Sequence, residues 1–187
     1  MKNTTSTLAW AYHITFRTYK SWCHGDERKS VDRKHNQYGS SKIPFTPALK
    51  YAMNISALES ELILNMNQRK TVLNSVIETC EYNSWKLLAV HVRSNHAHVV
   101  LRADIAAERV MGKMKCYATK ALKKNYPEVS QRQSFWGRHG STQNIWAPEK
   151  LFPVLYYVVE NQGKPMALWY DKKLYDFFDV KLYEAYF

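Results

Sequence analysis

The stretch KLLAVHVRSNHAHVVLR, from Lys86 to Arg102, predicts two paired antiparallel strands. Two apolar runs rich in β-branched residues, Leu87 to Val92 and Ala97 to Leu101, flank the polar link Arg93-Ser94-Asn95. Serine and asparagine suit a tight hairpin turn, because asparagine tolerates a positive φ. The rest of the chain is therefore expected to pack around this hairpin.

The second strand of the hairpin carries two histidines, His96 and His98. Successive side chains on a strand point to opposite faces, so both imidazoles leave the strand on the same side. Such a pair can bind a divalent ion, although two imidazoles leave the rest of the coordination shell to a third protein ligand or to water. Two surface histidines that are merely hydrogen-bonded are the structural alternative.

Helical and strand-like patterns alternate on either side of the hairpin. They predict strands over Ala9–Thr18 and around Thr142–Trp146, and helices over Asn67–Ser84, Ile105–Asn125 and Pro148–Asn161. This order is typical of an α+β fold, the ferredoxin-like split βαβ sandwich, in which an antiparallel sheet carries helices on one face. We expect one domain over residues 1–187, with a core over about 9–163, an appended C-terminal helix and an aromatic tail over 164–187.

Charge is the strongest bulk signal: 27 Lys and Arg against 16 Asp and Glu give a formal net charge of +11. Such an excess indicates a polyanionic partner, most commonly nucleic acid. The basic stretch from Tyr19 to Thr46 either contacts phosphate or is a solvated loop. The sequence contains no apolar run long enough to span a bilayer and no apolar signal region near its start, which predicts a cytoplasmic, nucleoid-associated protein. Its three cysteines do not form a zinc or disulfide pattern.

The helix predicted after the hairpin combines a tyrosine with a row of lysines. Lys113, Tyr117, Lys120 and Lys124 follow one another at spacings of four, three and four. A phenol with a pKa near 10 is a poor nucleophile, but ammonium groups one turn away favour the phenolate. Attack by Tyr117 on a phosphate next to a metal held by the histidines would leave a phosphotyrosine. The alternatives are a core tyrosine and a solvated lysine face.

Taken together, these motifs resemble the single-tyrosine transposases of the IS200 type, and within them the REP-associated tyrosine transposase branch. The sequence NHAHVV, Asn95 to Val100, is similar to the His-hydrophobe-His motif of that family, and KCYATKAL, Lys115 to Leu122, is similar to its tyrosine helix. The resemblance extends to about Gly163. It includes four further segments, His13–Tyr19, His24–Arg28, Trp136 and Arg138–Thr142.

The resemblance implies a ferredoxin-like domain that binds single-stranded DNA folded as a hairpin. Such a protein nicks the strand with Mg²⁺ or Mn²⁺, keeps a 5′-phosphotyrosine and releases a 3′-hydroxyl that can later attack the adduct, in DNA transposition or recombination. By position, His96 and His98 match the metal ligands and Tyr117 matches the nucleophile. The expected DNA contacts are Lys113, Lys120, Lys124, Arg17, Arg138 and Trp136. Both a monomer and a homodimer are compatible with the family.

One position departs from the family pattern. Insertion-sequence members commonly place a third metal ligand one turn after the tyrosine, where this chain has Ala121. An alanine cannot coordinate an ion, so another residue or water must complete the shell, or the metal site is weak. The candidate third ligands are, in order, His139, His13 and Glu108.

Three other functions compete with a DNA-nicking enzyme. A domesticated transposase that binds DNA hairpins without cleaving them is favoured by Ala121 and disfavoured by the combination of His96, His98 and Tyr117. An RNA-binding domain on the same sandwich fold would show stacking aromatics where the second hairpin strand has histidines. A nuclease with carboxylate-bound metal is disfavoured because the acidic residues show no paired spacing.

Overall fold

In a computed structural model, five strands form one sheet in the order β4-β1-β3-β2-β5, and every neighbouring pair is antiparallel. The structure describes residues 8–21, 46–48, 51 and 59–177. The strands are β1 (Ala11–Thr18), β2 (Lys86–Val92), β3 (His96–Arg102), β4 (Trp136–Ile145) and β5 (Ala167–Tyr170). The helices whose two ends are described are α1 (Met66–Tyr82), α2 (Ala107–Asn125), α3 (Pro127–Ser130) and α4 (Leu151–Val159), with a 3₁₀ turn at Pro148–Lys150. Residues 172–177 are helical as well. None of the helices within the described ranges is long and apolar enough to cross a membrane.

The predicted hairpin and the predicted fold class are confirmed. Strands β2 and β3 pair around the link at residues 93–95, with His91 opposite His98 and Val92 opposite Ala97. The order β4-β1-β3-β2, with α1 between β1 and β2 and α2 between β3 and β4, is the ferredoxin-like split βαβ arrangement. Most of the basic stretch from Tyr19 to Thr46, including the segment His24–Arg28, lies outside the described residues.

Local signals account for the ends of the first two helices. At the start of α1 the Asn65 side chain accepts a hydrogen bond from the Gln68 backbone N–H, and the Gln68 side chain accepts one from the Asn65 backbone N–H. This reciprocal capping box satisfies two amides that the helix itself leaves without partners. Helix α2 ends at Asn125, two residues before Pro127, because a proline disfavours helical geometry in the residue that precedes it.

The two faces of the sheet are covered by different helices. On one face, the alternate β3 residues Ala97, Val99 and Leu101 are fully buried in the same apolar cluster as residues of α1 and α2. On the other face, Val100 belongs to a second cluster that includes Leu151 and other residues of α4. Side chains on a strand alternate between faces, so His96 and His98 share the face of α4 and not that of α2.

The aromatic tail contributes a strand that the sequence analysis did not predict. Ala167–Tyr170 pairs with β2, placing Leu168 opposite His91. Four residues are too few to show a clear alternation of apolar and polar side chains, so the sequence pattern does not predict this strand. The continuous apolar run of β2, buried along six of its seven residues, is nevertheless the pattern of a strand with neighbours on both sides.

A glycine in β4 allows close packing between that strand, β1 and α2. A Cβ at Gly140 would lie 2.5 Å from the carbonyl oxygen of Thr15 and would also overlap the Met111 sulfur. We expect Gly140→Ala to destabilise the protein by about 1–3 kcal/mol, since it overpacks the contact. Urea unfolding should show this as a lower midpoint.

The matched control is Gly112→Ala in α2, where a Cβ would have no atom within 4 Å. This change should stabilise the protein by about 0.5–1 kcal/mol, because alanine favours the helix. A Gly140→Ala protein with the wild-type midpoint would show that β4 can shift away from β1 at no cost.

Candidate functional site

A cavity of about 450 Å³ opens on the α4 face of the sheet, beside the link between β2 and β3. Its walls come from three strands, from α4 and from the segment after α4. The lining residues are His13, Thr15, Arg17, Ser21, Asn95, His96, His98, Ser141, Tyr157 and Gln162. The cavity thus contains both predicted metal ligands and one predicted DNA contact, Arg17.

Both imidazoles of the motif are held by hydrogen bonds at their Nδ1 atoms. His96 Nδ1 lies 2.7 Å from the Asn95 Oδ1 atom. His98 is 5% exposed, and its Nδ1 lies 2.9 Å from Thr15 Oγ1 and 3.1 Å from His13 Nε2. The His96 and His98 rings meet edge to face with their centroids 4.9 Å apart. Hydrogen bonds at Nδ1 direct the Nε2 side of such a ring away from these partners.

The environment keeps His98 neutral. Burial first, and then neighbouring histidines, His96 foremost, lower its pKa to about 3, although a hydrogen bond with Gln162 opposes the shift. Burial also lowers the pKa of His13, against a hydrogen bond with Gln143. A neutral imidazole has a lone pair to give, so His98 is able to act as a ligand at physiological pH.

Helix α4 brings a tyrosine to these histidines. The Tyr157 ring meets the His98 ring edge to face at a centroid distance of 5.5 Å, and its distance to the His13 ring is 6.1 Å. Tyr157 is 44% exposed, so its side chain is open to a large substrate. The Gln162 side-chain amide donates to the Tyr157 carbonyl oxygen over 3.0 Å, which turns the segment after α4 back toward the cavity.

A fourth histidine ties this region to the sheet. His91 is fully buried on β2, and its Nδ1 lies 3.0 Å from the carbonyl oxygen of Val158 in α4. Its Nε2 accepts a hydrogen bond from the Met166 backbone N–H over 3.2 Å. Burial lowers the pKa of His91, and the neutral ring can donate at one nitrogen and accept at the other. Both ends of the segment that carries Gln162 are therefore fastened to one side chain.

The structure does not bring Tyr117 to the histidine pair, contrary to the expectation from sequence. Helix α2 buries Met114 and Ala118 in the core on the opposite face of the sheet, and the sheet separates that face from His96 and His98. Tyr117 is 41% exposed there, with the Lys120 ammonium 5.3 Å from the centre of its ring. The apolar stripe of α2 determines this placement, because it is buried against the more apolar side of the hairpin.

The lysines of α2 share the position of Tyr117, away from the cavity. Lys113 donates to Asn83 Oδ1 over 2.6 Å and lies over the Trp85 ring. Lys124 is exposed near the end of the helix.

The predicted residues of β4 lie at the edge of the sheet. Trp136 packs on Phe16 and donates its indole N–H to the Lys115 carbonyl oxygen over 3.0 Å, so this ring anchors β4 to α2. Arg138 and His139 are exposed.

Only one of the three candidate third ligands lies at the histidine pair. His13 does so, through its contact with His98. Glu108 instead accepts a hydrogen bond from Thr142 Oγ1 over 2.7 Å at the start of α2, and His139 does not line the cavity. Sequence reasoning missed Gln162, whose amide oxygen is a possible metal ligand.

The donor set around the cavity suits some divalent ions better than others. Within the described part of the chain, no group of three His, Cys, Asp or Glu side chains is arranged to hold a metal ion. The His96 and His98 imidazoles and the Gln162 amide offer nitrogen and oxygen donors, which water can supplement. Such a set fits Mn²⁺ better than Mg²⁺, which prefers an all-oxygen shell.

Comparison with known proteins points to one family. Residues 48–147, just over half of the chain, match the model of the family described as IS200-like transposases. This match contains His96, His98 and Tyr117 and ends before Tyr157. No protein of curated function matches the chain.

Two solved structures are among those similar to this chain. One is a REP-associated tyrosine transposase bound to a REP hairpin, with 10% identity and a TM-score of 0.47, covering 82% of this chain and 67% of that one. The other is a "putative transposase" from Deinococcus radiodurans R1, with 12% identity and a TM-score of 0.48, covering 87% and 97%.

Proposed function

Because this chain belongs to the family of IS200-like transposases, we propose that it nicks and rejoins single-stranded hairpin DNA through a covalent tyrosine intermediate. The observation that carries this proposal is the contact between Tyr157 and His98 in a cavity open to solvent. It combines a hydroxyl nucleophile with two imidazoles that can hold a metal ion, and these groups serve metal-assisted phosphoryl transfer to a side chain.

In the proposed reaction, the Tyr157 hydroxyl oxygen attacks the scissile phosphorus and its proton passes to solvent. The bond between phosphorus and the 3′ oxygen breaks, and that oxygen takes up a proton from solvent, which leaves a 5′-phosphotyrosine and a free 3′-hydroxyl. A later attack by a 3′-hydroxyl on the adduct reverses these changes and rejoins DNA. No energy source is needed, because one phosphodiester bond is exchanged for another.

Residues of the cavity would prepare the phosphate for this attack. His96 and His98 would hold a divalent ion, Mn²⁺ or Mg²⁺, which when bound neutralises charge on the phosphate. Arg17 adds a fixed cation to the cavity wall. Beside the cavity, Arg93 donates to the Lys164 carbonyl oxygen over 2.6 Å, so its guanidinium is held where a flanking phosphate could bind.

A binding module without catalysis is the second candidate. It is favoured by the finding that no three-residue group of His, Cys, Asp or Glu among the described residues could hold a metal ion. Such a protein would bind hairpins through the same basic surface and would leave them intact.

A denaturing gel separates the two candidates. The wild-type protein is incubated with a labelled single-stranded hairpin, copied from repeats flanking its own gene, in Mn²⁺ or in EDTA. We expect a cleaved product and a slowly migrating covalent adduct in Mn²⁺ alone, and His96→Ala should lose both. A hairpin that is tightly bound yet intact in Mn²⁺ would favour the binding module, whereas cleavage in EDTA would remove the metal from the proposal.

A further inference from the structure

A chain of hydrogen-bonded side chains runs behind His98, from the edge strand β4 to the centre of the sheet. His13 Nδ1 lies 3.4 Å from the Gln143 Oε1 atom. His13 Nε2 lies 3.4 Å from Thr15 Oγ1 and 3.1 Å from His98 Nδ1. Thr15 Oγ1 in turn lies 2.9 Å from His98 Nδ1. Four side chains from three adjacent strands thus connect an exposed amide with a buried imidazole of the motif.

The amide oxygen of Gln143 gives this chain a direction. A carbonyl oxygen only accepts, so His13 must carry its hydrogen on Nδ1. The Nε2 atom of neutral His13 is then an acceptor, and it can take the hydrogen of Thr15 or of His98. If His98 supplies that hydrogen, it donates from Nδ1 to His13. If Thr15 supplies it, the Thr15 oxygen is left to accept, and His98 donates from Nδ1 to Thr15. In both cases the one hydrogen of the neutral His98 ring is on Nδ1. In this arrangement the lone pair of His98 is on Nε2. The ring also has a hydrogen bond with the Gln162 side chain, whose amide offers both a donor and an acceptor and so is compatible with either tautomer.

We propose that Gln143 and His13 are positioning residues that fix the tautomer of His98, so that its Nε2 lone pair can bind a divalent ion. This inference rests on the proposed function, because the tautomer matters only if His98 is a metal ligand. Partners of this kind commonly set the orientation and the tautomer of metal-binding histidines. Gln143 does not line the cavity, so it would affect the metal only through His13 and His98.

If the Gln143 amide were turned over, so that its nitrogen faced His13, the opposite direction would satisfy the remaining contacts. If Gln143 donated its amide hydrogen to His13, then His13 would donate from Nε2 to His98, and His98 would carry its own hydrogen on Nε2. Every buried side-chain nitrogen and oxygen within the described residues has a hydrogen-bond partner, and this would hold in both arrangements. Only the arrangement with the accepting oxygen leaves His98 able to coordinate through Nε2.

Two substitutions at Gln143 separate a tautomer effect from a structural one. An ionised glutamate side chain can only accept, so Gln143→Glu should preserve the direction of the chain. A lysine can only donate, so Gln143→Lys should reverse it and move the His98 hydrogen to Nε2. Asn144→Lys is the matched control, because it adds the same charge at the next exposed position of β4, on the other face of the sheet.

The first measurement is long-range ¹H–¹⁵N correlation of the imidazoles in protein free of metal and DNA. We expect the Nδ1–H form of His98 in the wild type, in Gln143→Glu and in Asn144→Lys, and the Nε2–H form in Gln143→Lys. An Nε2–H signal in the wild type, or an unchanged His98 in Gln143→Lys, would overturn the inference.

The second measurement is the affinity for Mn²⁺, which is determined from the electron paramagnetic resonance signal of the free ion. Gln143→Lys should bind about 10–100-fold more weakly than the wild type, whereas Gln143→Glu and Asn144→Lys should retain wild-type affinity within about twofold. Equal affinity in all four proteins would overturn the inference. A wild-type protein with the Nδ1–H tautomer that binds no Mn²⁺ would instead contradict the proposed function alone.

Discussion

Tyr157→Phe is expected to abolish the covalent adduct with a hairpin substrate while leaving hairpin affinity within about twofold of the wild type. The substitution removes the only atom that would attack the phosphate and keeps the ring that packs on His98. Loss of a nucleophile commonly lowers rates by about 10⁴-fold or more. A denaturing gel should therefore show no shifted band for this variant, and a binding assay should show an ordinary complex.

Two other tyrosines serve as controls for this experiment. Tyr156 is the neighbour of Tyr157 on α4 and has the same exposure, 44%, but it does not line the cavity. Tyr117 lies on the opposite face of the sheet. We expect both phenylalanine variants to form the adduct at the wild-type rate. Loss of the adduct in Tyr117→Phe, with retention in Tyr157→Phe, would require α2 to leave the position seen in this structure before cleavage.

Mild acid is expected to destabilise the metal-free protein strongly. His13, His91 and His98 are buried, and burial lowers the pKa of each below the ordinary value of 6.5. Below about pH 6.5 these histidines bind protons in the unfolded chain but stay neutral in the folded one, so the free energy of unfolding falls as the pH drops. For His98, with a folded pKa of about 3, the loss at pH 5 is about 2 kcal/mol.

Urea unfolding in EDTA at pH 7.5 and pH 5.0 measures this effect. The midpoint should be clearly lower at pH 5.0, and His98→Gln should reduce the difference between the two midpoints, whatever its own stability. A His98→Gln protein with the full pH dependence would show that His98 is protonated in the folded state at pH 5.

The hairpin, the helices and the fold class could be predicted because each depends on a local pattern. The run of Leu87 to Val92, the link at residues 93–95 and the alternation around His96 and His98 are all visible in a single stretch of chain. The apolar stripes of α1 and α2 likewise mark long helices. These signals need no knowledge of which elements meet across the sheet.

The predicted pairing of the histidines with Tyr117 failed for a reason that is also present in the sequence. The residues that alternate with the histidines, Ala97, Val99 and Leu101, make the more apolar side of β3. Crossover connections are right-handed, so α1 and α2 cover the same face, and this must be the apolar one. The histidines then face away from α2. Proximity along the chain, which favoured Tyr117, carries little information about the face of a sheet.

The residues that complete the cavity were harder to foresee. Tyr157 interrupts the apolar pattern of α4, but a tyrosine in a short apolar helix is more often a core residue. Gln162 lies in a turn, and its place depends on the contacts of His91 with Val158 and Met166. A buried polar residue in a central strand gives no sign in the sequence of which backbone groups it will bind.

The two hydrogen bonds of His91 hold both ends of the segment 159–165 through contacts that do not involve the residues between them. Since one imidazole is bonded to the end of α4 and to the start of β5, we expect changes between these points, at residues other than Gln162, to leave both elements in place. A short segment with fixed ends, next to the proposed nucleophile, is the same arrangement that lets antibody loops diversify on a constant framework. Under the proposed function, new DNA preferences would arise here by insertion or exchange, while the sheet and the histidine motif remain unchanged.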